Sequence, residues 1–494
     1  EYDIPTDGRS KEETALDLAK AVYAEFGKQE GFLQFTRRAP EKRVAQWQKM
    51  GIDPRGIDRE IVEIMHRTHI GVDNDPVNLI LQGLKASIAD GWGGSMVATE
   101  ISDVLFGTPA PVRSEANLGV LKEDHVNIVA HGHEPVLSEM ILAAAADPDL
   151  VAKAQAAGAK GINVVGMCCT GNEIIMRHGI PLAGNFMQQE LAVITGAVEA
   201  MIVDVQCIMP ALGDLCECFH TKFISTSYKA KFPGAVHMQF SEENALAIAK
   251  DIVGAAVKNY GNRVSDKVFI PAEKTECMVG FSAEAIIKAL GGTLDPLLDA
   301  IKSGAIKGIA GVVGCNNPKI KHDEGHVELV RELIKNDVLV VNTGCNAIAT
   351  AKVGLMLPEA ADEAGDGLKG VCQALGIPPV LHMGSCVDIS RILVVCAAVA
   401  NALGVDISDL PVAGAAPEWM SEKAVSIGSY VVSSGIFTVL GTVPPVLGSP
   451  VVTEVLTQTA NDVVGAAFAV ETDPVKGAGL MIAHIDKKRQ ALGI

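Results

Sequence analysis

Residues 378–391 read "PPVLHMGSCVDISR". A short apolar run reaches Gly384-Ser385, presents Cys386, and passes through an aspartate into the apolar series "ISRILVVCAAVANAL" of 389–403. A brief apolar run stopped by a Gly turn suits a strand, and the longer run after it suits a helix. The same sequence of events recurs in "GINVVGMCCTGNE" (161–173), "EAMIVDVQCIMP" (199–210), "IKGIAGVVGCNNPK" (306–319) and "DVLVVNTGCNAIATAKVG" (337–354), and in "VNIVAHGHEP" (126–135) with histidines in place of cysteine. Helix-compatible stretches such as "EPVLSEMILAAAADPDLVAKAQAAG" lie between them. Alternation of this kind predicts βα units around parallel sheets.

Working outward, residues 1–108 have a different texture. "KEETALDLAKAVYAEFG" and "VNLILQGLKASIADGW" carry apolar residues three and four apart, and Asp73-Asn74-Asp75-Pro76 reads as a turn with Pro76 near the first helical position. The expected architecture is α/β: an N-terminal helical domain (1–108) followed by two doubly wound, Rossmann-like parallel-sheet domains (109–252 and 253–494). The stretch "VLGTVPPVLGSPVVTEVL" (439–456) is expected to add irregular loops.

The chain has 494 residues, 48% of them hydrophobic, enough for large buried cores. Its 41 basic against 59 acidic residues give a formal charge of −18, which repels polyanions. Aromatics at 4% leave few stacking platforms, so nucleic acid is not an expected partner. The most apolar run, 389–403, carries Arg391 and Asn401 and reads as a buried helix rather than a transmembrane span. No G-x-G-x-x-G follows an expected strand and no Walker A sequence occurs.

Eleven cysteines in a chain of this length do not form a disulfide scaffold, and reduced thiols are expected. Cys168-Cys169, Cys207, Cys315, Cys345 and Cys386 each stand just past an apolar run, as do His131 and His133. Loops at the carboxyl ends of parallel strands line the ligand crevice of such folds. One cysteine there is a packed thiol more often than a ligand, and His131-Gly132-His133 alone reads equally as a surface turn. Repetition of the placement shifts the balance toward a site for iron, nickel, zinc or an iron–sulfur cluster. Cys216 and Cys218 do not share a helix face and read as structural. Cys277, Cys372 and Cys396 fall inside apolar patterns and read as core. In "AAPEWMSEKAVSIG" (415–428), Lys423 is either a solvent-facing lysine or a cationic donor in the crevice. Asp90 in "IADGWGG" reads first as a turn carboxylate and second as a buried proton relay.

With these residues in view, the chain resembles the catalytic subunit of the anaerobic nickel-dependent carbon monoxide dehydrogenases. The likeness runs nearly end to end through "SDVLFGTPAPVRSEANLGVL", "HGHEPVLSE", "GMCCTGNE", "DVQCIMP", "GCNNPK", "NTGCNAIA", "HMGSCVDISR" and "APEWMSEKA". It implies the reaction CO + H2O ⇌ CO2 + 2H+ + 2e− at a Ni-4Fe-4S cluster, an NiFe3S4 unit joined to an extra iron. It implies His133 and Cys169 on the extra iron, with Cys168 as the other choice. It implies Cys207, Cys315 and Cys345 on the cubane irons and Cys386 on nickel. Lys423 would hydrogen-bond a CO2-derived carboxylate, Ile427 would shape the apolar approach, Asp90 would lie near the extra iron, and His131 would stand behind the ligands.

The resemblance also implies a homodimer, a ferredoxin-like electron carrier, an acetyl-CoA synthase subunit as partner in some members, and a cytoplasmic location, in some cases at the inner face of the membrane through partners. Family members carry an N-terminal cysteine-rich segment with further [4Fe–4S] relay clusters and a catalytic histidine. That segment is expected to precede Glu1, because the first cysteine here is Cys168 and the first histidine is His66. A hybrid-cluster-type oxidoreductase acting on nitrogen compounds is the competing enzyme reading. A noncatalytic relic of the same fold is the competing reading from outside enzymology, and the intact ligand set argues against it.

Overall fold

The computed structural model of the chain describes residues 2–494. They form two compact units: 2–109 with 281–343 and 358–494, and 110–280 with 344–357. Each is built on one parallel sheet.

The second of these units holds eight strands: β1 (Val112–Ala116), β2 (Val126–His131), β3 (Ile162–Met167), β4 (Leu182–Gly184), β5 (Val198–Val203), β6 (Lys222–Ser225), β7 (Val236–His237) and β8 (Thr275–Val279). Their order is β7-β6-β5-β2-β3-β4-β1-β8, all parallel except the edge pair β1/β8. Every residue of β2 and β5 is buried, as expected of strands covered by helices on both faces. From β2 to β7 the order is that of a doubly wound fold, with its switch point between β2 and β5.

The other unit holds β9 (Gly308–Val312), β10 (Val338–Thr343), β11 (Val380–Gly384), β12 (Val412–Ala416), β13 (Thr438–Leu440) and β14 (Phe468–Val470). Their order, β11-β10-β9-β12-β13-β14, is the same winding, fully parallel, with its switch point between β9 and β12. This unit also contains the helices of residues 1–109. Pro76–Ala89 begins as the sequence predicts, with the Asp75 carboxylate accepting from Asn78 N at 2.9 Å.

Three sequence expectations need adjustment. The break after residue 252 falls inside the helix Ala245–Asn259, and the unit runs on to Gly280 because β8 closes the sheet edge. The segment 344–357 clusters with the unit of 110–280 although β10, just before it, belongs to the other. The tail 439–456 is only partly loop: Ser449 and Pro450 start a helical stretch that runs on to Val464.

The stretch Cys386–Leu403 is long and apolar enough to cross a membrane on length and composition alone, but 56% of it is buried inside the protein. Arg391 lies within it, ion-paired and 4% exposed, which suits a core helix rather than a lipid-facing one.

Candidate metal centre

In the unit of 110–280, the carboxyl ends of three neighbouring strands are level. His131 on β2 pairs with Met167 on β3 and with Val203 on β5. His133, Cys168-Cys169 and Cys207 leave the sheet just past these ends. His133 Nδ1 lies 3.0 Å from the Val205 carbonyl oxygen. A carbonyl only accepts, so Nδ1 carries a proton, and in the neutral ring the lone pair is then on Nε2, the arrangement a metal-binding imidazole requires. Asp204 braces the same loop: its carboxylate accepts from His133 N at 2.6 Å, from Glu134 N at 3.0 Å, and from Val205 N. A Cβ on Gly132 would sit 2.0 Å from Asp204 Oδ1, so only glycine lets this carboxylate approach.

Two amides hold the cysteine loops. Gln189 Nε2 donates to the Cys207 carbonyl at 2.9 Å, and His131 Nε2 donates to it at 3.1 Å. Burial takes the His131 imidazole down to about 4, so the ring is neutral at pH 7. Asn172 Nδ2 donates both to the Cys168 carbonyl (2.9 Å) and to the Gly344 carbonyl (3.1 Å), tying together the chain ahead of Cys169 and of Cys345. Cys168 and Cys345 belong to one buried cluster.

In the other unit, Cys315 follows β9 at the switch point. Its Sγ lies 3.5 Å from Ser421 Oγ, and Ser421 caps the helix Glu422–Ser433. Lys423 lies in the first turn of the same helix and is partly buried, two residues past that cap. Ile427 and Tyr430 continue its side of the helix, both buried. Behind Cys315, His326 donates to the Cys315 carbonyl at 2.7 Å, and Asn316 bonds the buried Glu418 carboxylate at 3.1 Å.

Asp90 lies in no turn. It opens a π-helical segment, Asp90–Ser95, and accepts from Ser426 Oγ at 2.7 Å. The glycine after it makes room for an aromatic ring: a Cβ on Gly91 would lie 2.4 Å from the Tyr430 ring. Burial, then the neighbouring Asp90 and Cys386, push the Tyr430 phenol well up, so it stays protonated. Asp90 and Ser426 border a cleft of about 580 Å³ whose remaining walls include Ile57, Ile61, Ile80 and Val425. Cys386 is partly buried and begins a 3₁₀ turn, Cys386–Asp388, closed by reciprocal Ser385–Asp388 capping.

The would-be ligands share one backbone feature. The residue just before each has positive φ: Gly132 before His133, Cys168 (54°) before Cys169, Gln206 (63°) before Cys207, Gly314 before Cys315 and Gly344 before Cys345. At Cys386 the reversed residue is Gly384, two positions earlier. Each reversal turns the chain sharply off its strand end. Cys168, Gln206 and Cys207 (56°) hold this conformation without being glycine, a cost that proteins concentrate at functional sites.

Among the described residues, no three His, Cys, Asp or Glu side chains are gathered as a ready site for one metal ion. A polynuclear cluster asks for ligands spaced around a bulky core, and the donor set suits one: thiols, none in a disulfide among the described residues, and an imidazole of fixed tautomer. Two buried acceptors beside the ligands, Thr170 Oγ1 and Asn316 Oδ1, lack hydrogen bonds, as at a site built for a further group. The remaining cysteines behave as core: burial pushes Cys216, Cys277, Cys372 and Cys396 up to about 12, while Cys218 is exposed. Asp204, Asn172, Gln189, Ser421, Ser426 and Tyr430 were not singled out in the sequence. Only Asp204, a carboxylate straight after an apolar strand, offered a local signal.

Comparison with known proteins bears on this geometry. The model of the Prismane/CO dehydrogenase family matches residues 1–475. A carbon monoxide dehydrogenase of Methanosarcina mazei is 69% identical over 494 residues, covering 100% of this chain and 79% of the relative. A nickel-free structure of carbon monoxide dehydrogenase from Thermococcus sp. AM4, produced without CooC maturase, superposes with a TM-score of 0.98 at 59% identity, covering 100% of this chain and 78% of that one. The beta subunit of carbon monoxide dehydrogenase/acetyl-CoA synthase from Moorella thermoacetica is 43% identical over 99% of this chain and 75% of its own length.

Proposed function

This chain belongs to the Prismane/CO dehydrogenase family, and we propose that it oxidises carbon monoxide with water at a nickel–iron–sulfur centre held by His133, Cys169, Cys207, Cys315, Cys345 and Cys386. It is an enzyme, and carbon monoxide oxidation is its activity. The cluster and the residue roles belong to that proposal. The observation that supports them is the repeated seating of these six side chains, each past a strand end and after a reversed backbone. That pattern favours Cys169 over Cys168, since the residue before Cys169 is reversed whereas Met167, before Cys168, is extended.

When bound, such a centre supplies a soft metal for carbon monoxide, a second metal that makes water nucleophilic near neutral pH, and a store for two electrons. The protein supplies the rest. His133 offers Nε2 because Val205 holds its Nδ1 proton. Lys423 directs its ammonium at the negative charge that develops on substrate oxygen at the CO2 level. Ile427 keeps the approach apolar and excludes water. Asp90, oriented by Ser426, takes a proton on its carboxylate.

A homodimer, a ferredoxin-like acceptor, additional [4Fe–4S] relay clusters and a cytoplasmic location belong to the same proposal. So does an acetyl-CoA synthase partner, which the Moorella relative's name suggests. The hybrid-cluster alternative is not favoured, because the named relatives at high identity are carbon monoxide dehydrogenases.

The test is CO-dependent reduction of a viologen dye by the anaerobically prepared, nickel-loaded full-length protein. Lys423→Ala should lower kcat about a hundredfold with a much smaller change in KM, the mark of a group acting on the transition state. Reduction of hydroxylamine with no response to carbon monoxide would overturn the reading.

A further inference from the structure

The clearest unexplained construction in the chain is an ion-paired network behind Cys386, and none of its members has a role in the reading above. Asp388 is 1% exposed and its carboxylate is fully used. Oδ2 accepts from Ser385 N at 2.8 Å and Ser385 Oγ at 3.0 Å. Oδ1 accepts from Arg391 Nε at 2.9 Å and Thr99 Oγ1 at 3.2 Å. The other two guanidinium nitrogens of Arg391 take both oxygens of Asp103, at 2.7 and 2.8 Å. Thr99 also meets Ser390 Oγ at 2.8 Å.

Thr99 and Asp103 lie one turn apart on the helix Met96–Phe106, which continues directly from the π-helical segment begun by Asp90. The loop carrying Cys386 is therefore fastened at its base to that helix. A Cβ on Gly384 would lie 2.4 Å from Asp388 Oδ2, so the loop's own backbone is shaped to admit the carboxylate. Burying an arginine between two aspartates costs desolvation, which only a nearly complete set of charge-assisted bonds offsets. For stability alone, apolar packing at this place in the core serves as well. A planar fork does what apolar packing cannot: it fixes direction.

The geometry points to Arg391 as the positioning residue of the Cys386 thiol, setting where that sulfur stands by locking Asp388 to Thr99 and Asp103. Its consequence for nickel rests on the proposed function. Its consequence for the thiol does not.

The test uses the full-length protein with Arg391→Lys, which keeps the charge and loses the fork, and with the milder Thr99→Val. In metal-free protein, iodoacetamide labelling of Cys386 is followed by peptide mass spectrometry, with Cys277 and Cys372 as buried controls. Arg391→Lys should speed labelling of Cys386 about tenfold and Thr99→Val by less, with the controls unreactive in both. In anaerobically loaded protein, Arg391→Lys should lower nickel about tenfold while iron stays near the wild-type amount. Unchanged labelling of Cys386 would overturn the positioning role. So would faster labelling of all three cysteines, since that reports general loosening. If the wild-type protein takes up no nickel while the labelling result holds, the clamp stands and the proposed function fails.

Discussion

Two aspartates, one in each unit, do the same job with different charge balance. Asp204 and Asp388 each press a buried carboxylate against a loop at a strand end, and each needs a glycine, Gly132 or Gly384, to make room. Asp204 is satisfied by backbone N–H groups, and among the described residues it has no arginine or lysine partner. Burial raises its carboxyl above the usual range, partly offset by those N–H groups. Asp388 instead shares Arg391 with Asp103. The difference teaches that backbone donors alone can hold a histidine loop, whereas the Cys386 loop is tied by charge to a helix remote in sequence.

The sharpest way to break this comparison is to neutralise both aspartates in turn. Asp388→Asn should destabilise the protein by about 4 kcal/mol, because the buried Arg391 cation then keeps one of its two carboxylates, Asp103. Asp204→Asn should cost only about 1 kcal/mol, since an amide oxygen still accepts and no cation is stranded. Chemical denaturation of the two variants side by side checks the contrast, and equal losses would erase it.

The glycines test what the two loops share. Gly132→Ala and Gly384→Ala should each cost about 3 kcal/mol, from a side chain forced to positive φ and from contact with the carboxylate. Thermal unfolding reads both. A benign alanine at either place would show that the carboxylate does not need the close approach.

A smaller effect separates Cys168 from Cys169. Cys168→Gly relieves a left-handed cysteine while removing a buried thiol, so stability should stay within about 1 kcal/mol and iron content should not change. Cys169→Gly should lose iron. Metal analysis of the pair reverses the assignment if the outcomes are exchanged.

Much of this was legible in the sequence because it is local. An apolar run followed by Gly, His or Cys and then a helix start identifies a strand end wherever it occurs, so β3, β5, β9, β10 and β11 with their cysteines, and β2 with its histidines, are readable. What was not readable depends on long-range contact. Asp103 meets Arg391 across 288 residues, and nothing near Arg391 names its partner. Asp90 reads locally as a turn carboxylate first and a buried proton relay second, yet it opens a π-helical segment whose Gly91 packs on Tyr430, far along the chain. The return of 344–357 to the unit of 110–280 left no mark in composition. Lys423 is ambiguous in the sequence for the same reason: the contact of its helix cap Ser421 with the Cys315 thiol spans 106 residues.

The most direct test of the central claim is the metal content of the full-length protein prepared without oxygen and loaded with nickel under reducing conditions. The expected result is about one nickel per chain with at least about four irons, and loss of the nickel but not the iron in Cys386→Ser. Iron with no nickel after loading, or nickel retained in Cys386→Ser, would contradict the account.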